Sequence, residues 1–312
     1  MGKIVLISRC ATIWDKAGGI DEDGFRRFLQ RFVDSSHGVY MASGGSGEGN
    51  ALTPTELATV FRIGVETCKG KVPCRANLPE SHTARDTIAL AKIAVEAGVD
   101  VINIYGPASW HGYRATDEEY FSYFDRVFAE IKHPVALNPN PTTGYAPAAS
   151  VIADICHKYP QVTTVNLSGQ SDDIYLVNLL DAMKRDIEIY VPWPGSANTL
   201  ALGATGLLGA QANLIPKTFR DYIDLYEAGK LTEANKVYGD MKRVAQFVKR
   251  WQPSTPRWIK LALKAFKLPG WEGGVREPYV LPDDTELARF IDGALRLDVP
   301  EINEMARAAG VM

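Results

Sequence analysis

Seven side-chain amides stand at or near the ends of short apolar runs: Asn77, Asn103, Asn138, Asn140, Asn166, Gln211 and Asn213. An amide donates two hydrogens and accepts on its oxygen, so such a set can polarise a carbonyl, bind hydroxyls or stabilise an oxyanion. It can neither form an imine nor take a proton from carbon near neutral pH. Groups able to move protons lie close by. Tyr105 closes one apolar run, and His111 sits in the aromatic loop that follows it, with His82 a weaker second candidate. The segment Ser43-Gly44-Gly45-Ser46-Gly47-Glu48 lets backbone N–H groups approach an anion closely. It reads as a small anion or carbonyl site, or else as a tight turn feeding a helix, with Glu48 in a structural role. Tyr105, His111 and Asn166 are therefore the catalytic candidates. Gly45, Ser46, Asn138, Asn140, Ser168, Gln211 and Asn213 are the candidates for holding substrate.

Other chemistries have less support. No lysine falls at a strand end where a desolvated amine could attack a carbonyl; Lys158 and Lys184 lie in connections and helices. Glu48, Glu80, His82 and His111 show no ligand spacing on a single element, so no metal and no cofactor are expected. The glycine-rich segments lack a P-loop lysine and a dinucleotide fingerprint. Ser46 and Ser168 have no recognisable histidine and acid partners.

The elements that must carry these residues alternate in type. Short apolar runs at Lys3–Ser8, Gly38–Ala42, Val72–Ala76, Val101–Tyr105, Val135–Asn138, Thr163–Leu167, Ile187–Val191 and Gly206–Ala212 predict eight strands. Helical patterns at Asp23–Val33, Pro54–Cys68, Thr83–Ala97 and Asp117–Ile131 lie between them. Thr53-Pro54-Thr55-Glu56 is a helix start with its cap, and Gly98 is a helix stop. Eight such units predict an α/β fold, a (β/α)8 TIM barrel, with reactive groups at strand C-termini. The barrel and its active-site mouth occupy residues 1–215. The last barrel helix and a C-terminal helical extension occupy 216–312, with helices at Lys217–Ala228, Leu231–Trp251, Pro256–Phe266 and Asp283–Leu297. Alternation places Arg75 and Asn77 on one side of their strand. An inward Arg75 needs a carboxylate or an anion; an outward one is a buried structural or interface residue.

Bulk properties narrow the class further. The 312 residues are 46% hydrophobic and 23% charged, with a formal net charge of −3. That balance offers no footprint for nucleic acid, and no apolar run approaches the ~18 residues of a membrane span. The first apolar run is too short for a secretory leader. The four cysteines lack metal spacing and read as reduced thiols of a cytoplasmic protein.

Ser43 to Thr53, Asn138-Pro139-Asn140-Pro141, the stretch Val162 to Gly169 and the linker Gly273 to Pro282 together resemble the dihydrodipicolinate synthase / N-acetylneuraminate lyase family. The resemblance covers nearly the whole chain. It implies a hydroxyl pair in the second loop, where Gly45 and Ser46 stand. It also implies a proton-relaying tyrosine at Asn138 and a Schiff-base lysine at Asn166. The arginine many relatives place soon after the fifth strand is replaced by Thr142 and Thr143. The family implies a small-molecule substrate and a homo-oligomer, dimer or tetramer. The expected activity is lyase-type, on a small oxo acid or related polar metabolite, without an imine and with amides polarising the carbonyl. The alternative is a non-catalytic metabolite-binding or structural relative.

Overall fold

The computed structural model describes residues 3–168, 173–193 and 198–312. Eight parallel strands pair in chain order and close into a barrel: β1 (Val5–Arg9), β2 (Gly38–Met41), β3 (Cys74–Asn77), β4 (Val101–Tyr105), β5 (Val135–Asn138), β6 (Val162–Asn166), β7 (Glu188–Pro192) and β8 (Gly206–Gly209). Pairing of β1 with β8, in register from Val5 against Gly206 to Ser8 against Gly209, completes the ring. Helices α1 (Glu22–Asp34), α2 (Pro54–Cys68), α3 (Ala84–Ala97), α4 (Asp117–Glu130), α5 (Ala149–Lys158), α6 (Asp173–Ala182), α7 (Asn198–Leu202) and α8 (Pro216–Glu227) follow the strands in turn. Four more complete the chain: α9 (Leu231–Val248), α10 (Arg257–Ala265), α11 (Asp284–Arg296) and α12 (Pro300–Ala309). This is the (β/α)8 barrel with added C-terminal helices that the sequence predicts.

The local signals act as expected. Thr53 accepts from the Glu56 N–H while Glu56 returns a bond to the Thr53 N–H, with Pro54 opening α2. Gly98 ends α3 in the left-handed conformation at φ 82°. Several strand boundaries move. β3 lies slightly later than predicted. β8 stops at Gly209, because Gln211–Asn213 turns into a short 3-10 segment. α12 was not anticipated from the sequence.

The main core lies between the strands and the helical shell, with Phe25, Phe28, Phe61, Phe124 and Trp258 all but fully buried. A second, smaller cluster fills the barrel itself: Ile7, Tyr40, Val101, Ala136, Tyr190 and Leu208. Arg75 points into this interior. Its guanidinium pairs with Glu188 at 3.0 Å, donates to Tyr190 Oη at 2.9 Å and Thr164 Oγ1 at 3.2 Å, and lies over the Tyr190 ring at 5.0 Å. The inward reading with a carboxylate partner is the correct one.

Candidate active site

The C-terminal ends of the strands surround a cavity of about 390 Å³. The β1 end contributes Arg9, the loop after β2 contributes Ser43–Ser46, and β4 contributes Tyr105. Asn140 and Thr142 follow β5, Trp193 follows β7, and Gln211 follows β8. The sequence places no lysine or histidine in this lining, and the undescribed segments 169–172 and 194–197 contain neither type.

Five of the predicted site residues reach the cavity: Gly45, Ser46, Tyr105, Asn140 and Gln211. The N–H groups of Gly44, Gly45 and Ser46 meet no acceptor among the described residues, so this loop holds unspent donors. Gln211 uses its oxygen to accept from the Ala210 N–H at 3.2 Å, and Asn140 uses its own to accept from the Thr142 N–H at 3.0 Å. In both cases the amide N–H groups are left for a ligand. Tyr105 donates its hydroxyl hydrogen to Asn77 Oδ1 at 3.2 Å, and burial pushes its pKa above the usual phenol value. It is a proton donor at neutral pH rather than a base.

Asn138, Asn166 and Ser168 lie under the cavity floor, each no more than 2% exposed. Asn166 Nδ2 donates to Asn103 Oδ1 at 2.6 Å and Tyr40 Oη at 3.0 Å. Asn138 Nδ2 donates to Asn103 Oδ1 at 3.3 Å and Ser168 Oγ at 3.1 Å. Their donors are therefore spent within the protein. The expectation that these two amides polarise a substrate carbonyl needs correction, because what they leave free is oxygen. Asn213 is structural in the same sense: it donates to the carbonyls of Arg9 and Ala210 and accepts from the Ala11 N–H, tying the β1 end to the β8 end. His111 is exposed, at φ 51°, and lies outside the cavity lining. His82 bonds the Ala108 carbonyl and packs edge-on against Tyr113.

The structure adds groups to which the sequence assigned no binding role, and it settles the open question of whether Arg9 faces the pocket. Arg9 lines the cavity and donates to Ser168 Oγ, yet no carboxylate pairs with it among the described residues. A charged residue closing an otherwise apolar strand was the available signal. Glu80 is the one carboxylate in the lining among the described residues. Pro253 and Ser254, from the segment joining α9 to α10, form part of the wall. A Cβ on Gly45 would stand 1.9 Å from the Ser254 carbonyl oxygen. Glycine at 45 is thus required by the strap that crosses above it. The strap is firmly held: Trp258 Nε1 donates to the Pro253 carbonyl at 3.1 Å, and Thr255 Oγ1 to the Trp251 carbonyl at 3.0 Å.

Behind the second loop, fully buried Glu48 has the structural role expected. It accepts from Trp14 Nε1 at 2.9 Å and the Arg276 N–H at 2.8 Å, and lies 3.7 Å from the Lys260 ammonium. Lys260 in turn donates to the Thr12 carbonyl at 2.6 Å. Burial holds its pKa down at about 8, with Glu48 opposing the shift. Among the described residues, no cluster of three or more metal-ligating side chains occurs and no helix is long and apolar enough to cross a membrane.

Known proteins agree with this architecture. The chain is 24% identical over 269 residues to the 4-hydroxy-tetrahydrodipicolinate synthase of Methanococcus aeolicus, covering 84% of this chain and 88% of that one. A dihydrodipicolinate synthase from Bacillus anthracis superposes with a TM-score of 0.84 at 20% identity, over 96% of this chain and 99% of that one. An Escherichia coli prophage protein of the same family, solved with pyruvate, gives 0.83 at 19% identity, over 95% and 99%. The dihydrodipicolinate synthetase family model matches residues 4–291, and the chain belongs to that family.

Proposed function

We propose that this chain is a lyase-type enzyme that acts on a small oxo acid without a lysine imine. One observation carries the reading: the cavity holds a full set of unspent donors and no amine. The N–H groups of Gly45 and Ser46, with the Ser46 hydroxyl, face a carboxylate from one side. The unpaired Arg9 guanidinium, on the neighbouring strand, supplies the charge that the missing arginine after β5 would give elsewhere. The amide N–H groups of Gln211 and Asn140 polarise the oxo group and hold the electron pair as it moves onto oxygen. Preorganised donors of this kind are worth about 3–4 kcal/mol each in acyl chemistry. Glu80 accepts the proton released from the leaving part, Tyr105 turns its hydroxyl from Asn77 to give a proton to carbon, and Glu80 then hands its proton to Tyr105, which restores both groups. His111 has no place in this scheme from its position outside the cavity.

Borohydride reduction in the presence of pyruvate or a longer oxo acid tests the scheme. Mass spectrometry should find unmodified protein, and turnover of the true substrate should survive the treatment. A reduced adduct on any lysine would overturn it.

A second reading, a metabolite-binding protein without turnover, is favoured by the internal use of the Asn138 and Asn166 donors. Its sign would be ligand-dependent thermal stabilisation with no product from any stabilising ligand. Homo-oligomerisation and a cytoplasmic location belong to the same proposal. Sedimentation velocity and cell fractionation test them.

A further inference from the structure

The amides in the barrel form a chain whose direction is fixed at one end. Asn77 Nδ2 donates to the Leu78 carbonyl at 3.0 Å, and a carbonyl can only accept. The Asn77 oxygen therefore faces inward, where it accepts from Tyr105 Oη at 3.2 Å and Asn103 Nδ2 at 2.9 Å. The Asn103 oxygen must then accept in turn, and it takes Nδ2 of both Asn138 and Asn166. Turning either terminal amide over would set oxygen against oxygen. Four amides are thus oriented by one backbone carbonyl, which settles the usual ambiguity of amide assignment.

The chain ends on two oxygens, Oδ1 of Asn138 and Oδ1 of Asn166. Both are buried, and neither meets a donor among the described residues. The same two amides donate to Ser168 Oγ and Tyr40 Oη. Those hydroxyls also receive bonds from Arg9 and Arg75, so each accepts twice. Neither hydroxyl hydrogen has an acceptor among the described residues. The barrel centre therefore needs two donors and two acceptors, which is the hydrogen-bonding capacity of one water molecule.

We propose that the barrel centre is a binding site for a single enclosed water. It donates to Asn138 Oδ1 and Asn166 Oδ1 and accepts from the hydroxyls of Tyr40 and Ser168. Ammonium fits the two oxygens but not the two hydroxyl hydrogens, since it has no lone pair. Two guanidinium groups already bonded to those hydroxyls also disfavour a further positive charge. Buried waters commonly make about three bonds to groups that would otherwise stay unsatisfied. Here the water completes a line through Ser168 to Arg9, so it is a positioning element for the cavity's cation.

A crystal structure at better than about 2 Å tests the proposal, since ordered waters are resolved there. The expected result is one peak within hydrogen-bond distance of all four groups, the same in ammonium-free and ammonium-rich crystals. Its loss in Asn166→Leu is expected too, together with displacement of the Arg9 guanidinium. Absence of the peak in the wild type, or a peak that depends on ammonium, overturns the proposal. Oxygen-17 relaxation dispersion gives a solution readout through Tyr40→Phe, a smaller change than Asn166→Leu. The long-lived water signal should fall relative to wild type, and an unchanged signal counts against the site.

Discussion

Replacing Lys260 with methionine should flatten the stability of the protein between neutral and alkaline pH. Burial lowers the lysine from an ordinary 10.5 to about 8, a gap of about 2.5 units. At ~1.4 kcal/mol per unit, the native state bears a penalty of about 3 kcal/mol while the ammonium is charged in both states. That penalty is present in full below pH 8. As pH rises from about 8 to 10.5 the native lysine loses its proton first, the unfolded chain binds more protons, and stability increases. Between about pH 7 and 9.5 the gain is roughly 2 kcal/mol. The buried thiols, whose pKa values burial raises, act in the opposite direction, but equally in wild type and variant. Urea unfolding of both proteins at the two pH values isolates the lysine. The difference between wild type and Lys260→Met should move by roughly 2 kcal/mol in favour of wild type on going alkaline. Parallel pH profiles would refute the reasoning, because they would mean that the Lys260 ammonium is not desolvated beside Glu48.

Three further outcomes follow from the site. Gly45→Thr should destabilise the protein by about 1–3 kcal/mol, as overpacking does, and should expose the strap near Pro253 to protease; thermal melts and limited proteolysis check this. Asn166→Lys should give no strong aldolase activity in a pyruvate assay. An amine placed there would still lack the proton-relaying phenol, because an amide stands at position 138 and an amide cannot relay a proton. Arg9→Met should cost roughly tenfold or more in affinity for an oxo acid, as expected for a lost charged hydrogen bond of about 1.5–3 kcal/mol, measured by titration calorimetry with pyruvate. Equal binding by wild type and Arg9→Met would remove Arg9 from the anion site.

Much of the barrel was legible because its signals are local. Apolar runs of strand length, the Thr53–Glu56 capping box and the Gly98 stop each act within a few residues. α12 carries signals of the same kind, Pro300 at its start and Gly310 in the left-handed conformation just past its end. It was legible and was missed. The direction of Arg75 was not legible, because alternation separates two faces without saying which is the inside of a barrel. The roles of Asn138 and Asn166 were harder still. Their residue types promise both donors and acceptors, and only the Leu78 carbonyl, several strands away in the chain, decides which remain. Arg9 shows the same limit, since an unpaired charge is a property of everything around it.

The crossing of Ser254 over Gly45 also constrains how this chain can change. A side chain at position 45 and the strap in its present place exclude each other. A side chain at 45 costs stability for as long as the strap holds its present course. The effect of a threonine at this position therefore depends on where the strap runs. Grafting this chain's C-terminal third onto a barrel that carries a side chain at the equivalent of Gly45 would import the clash. The crossing therefore couples two segments far apart in the chain, so that position 45 and the strap can change only together.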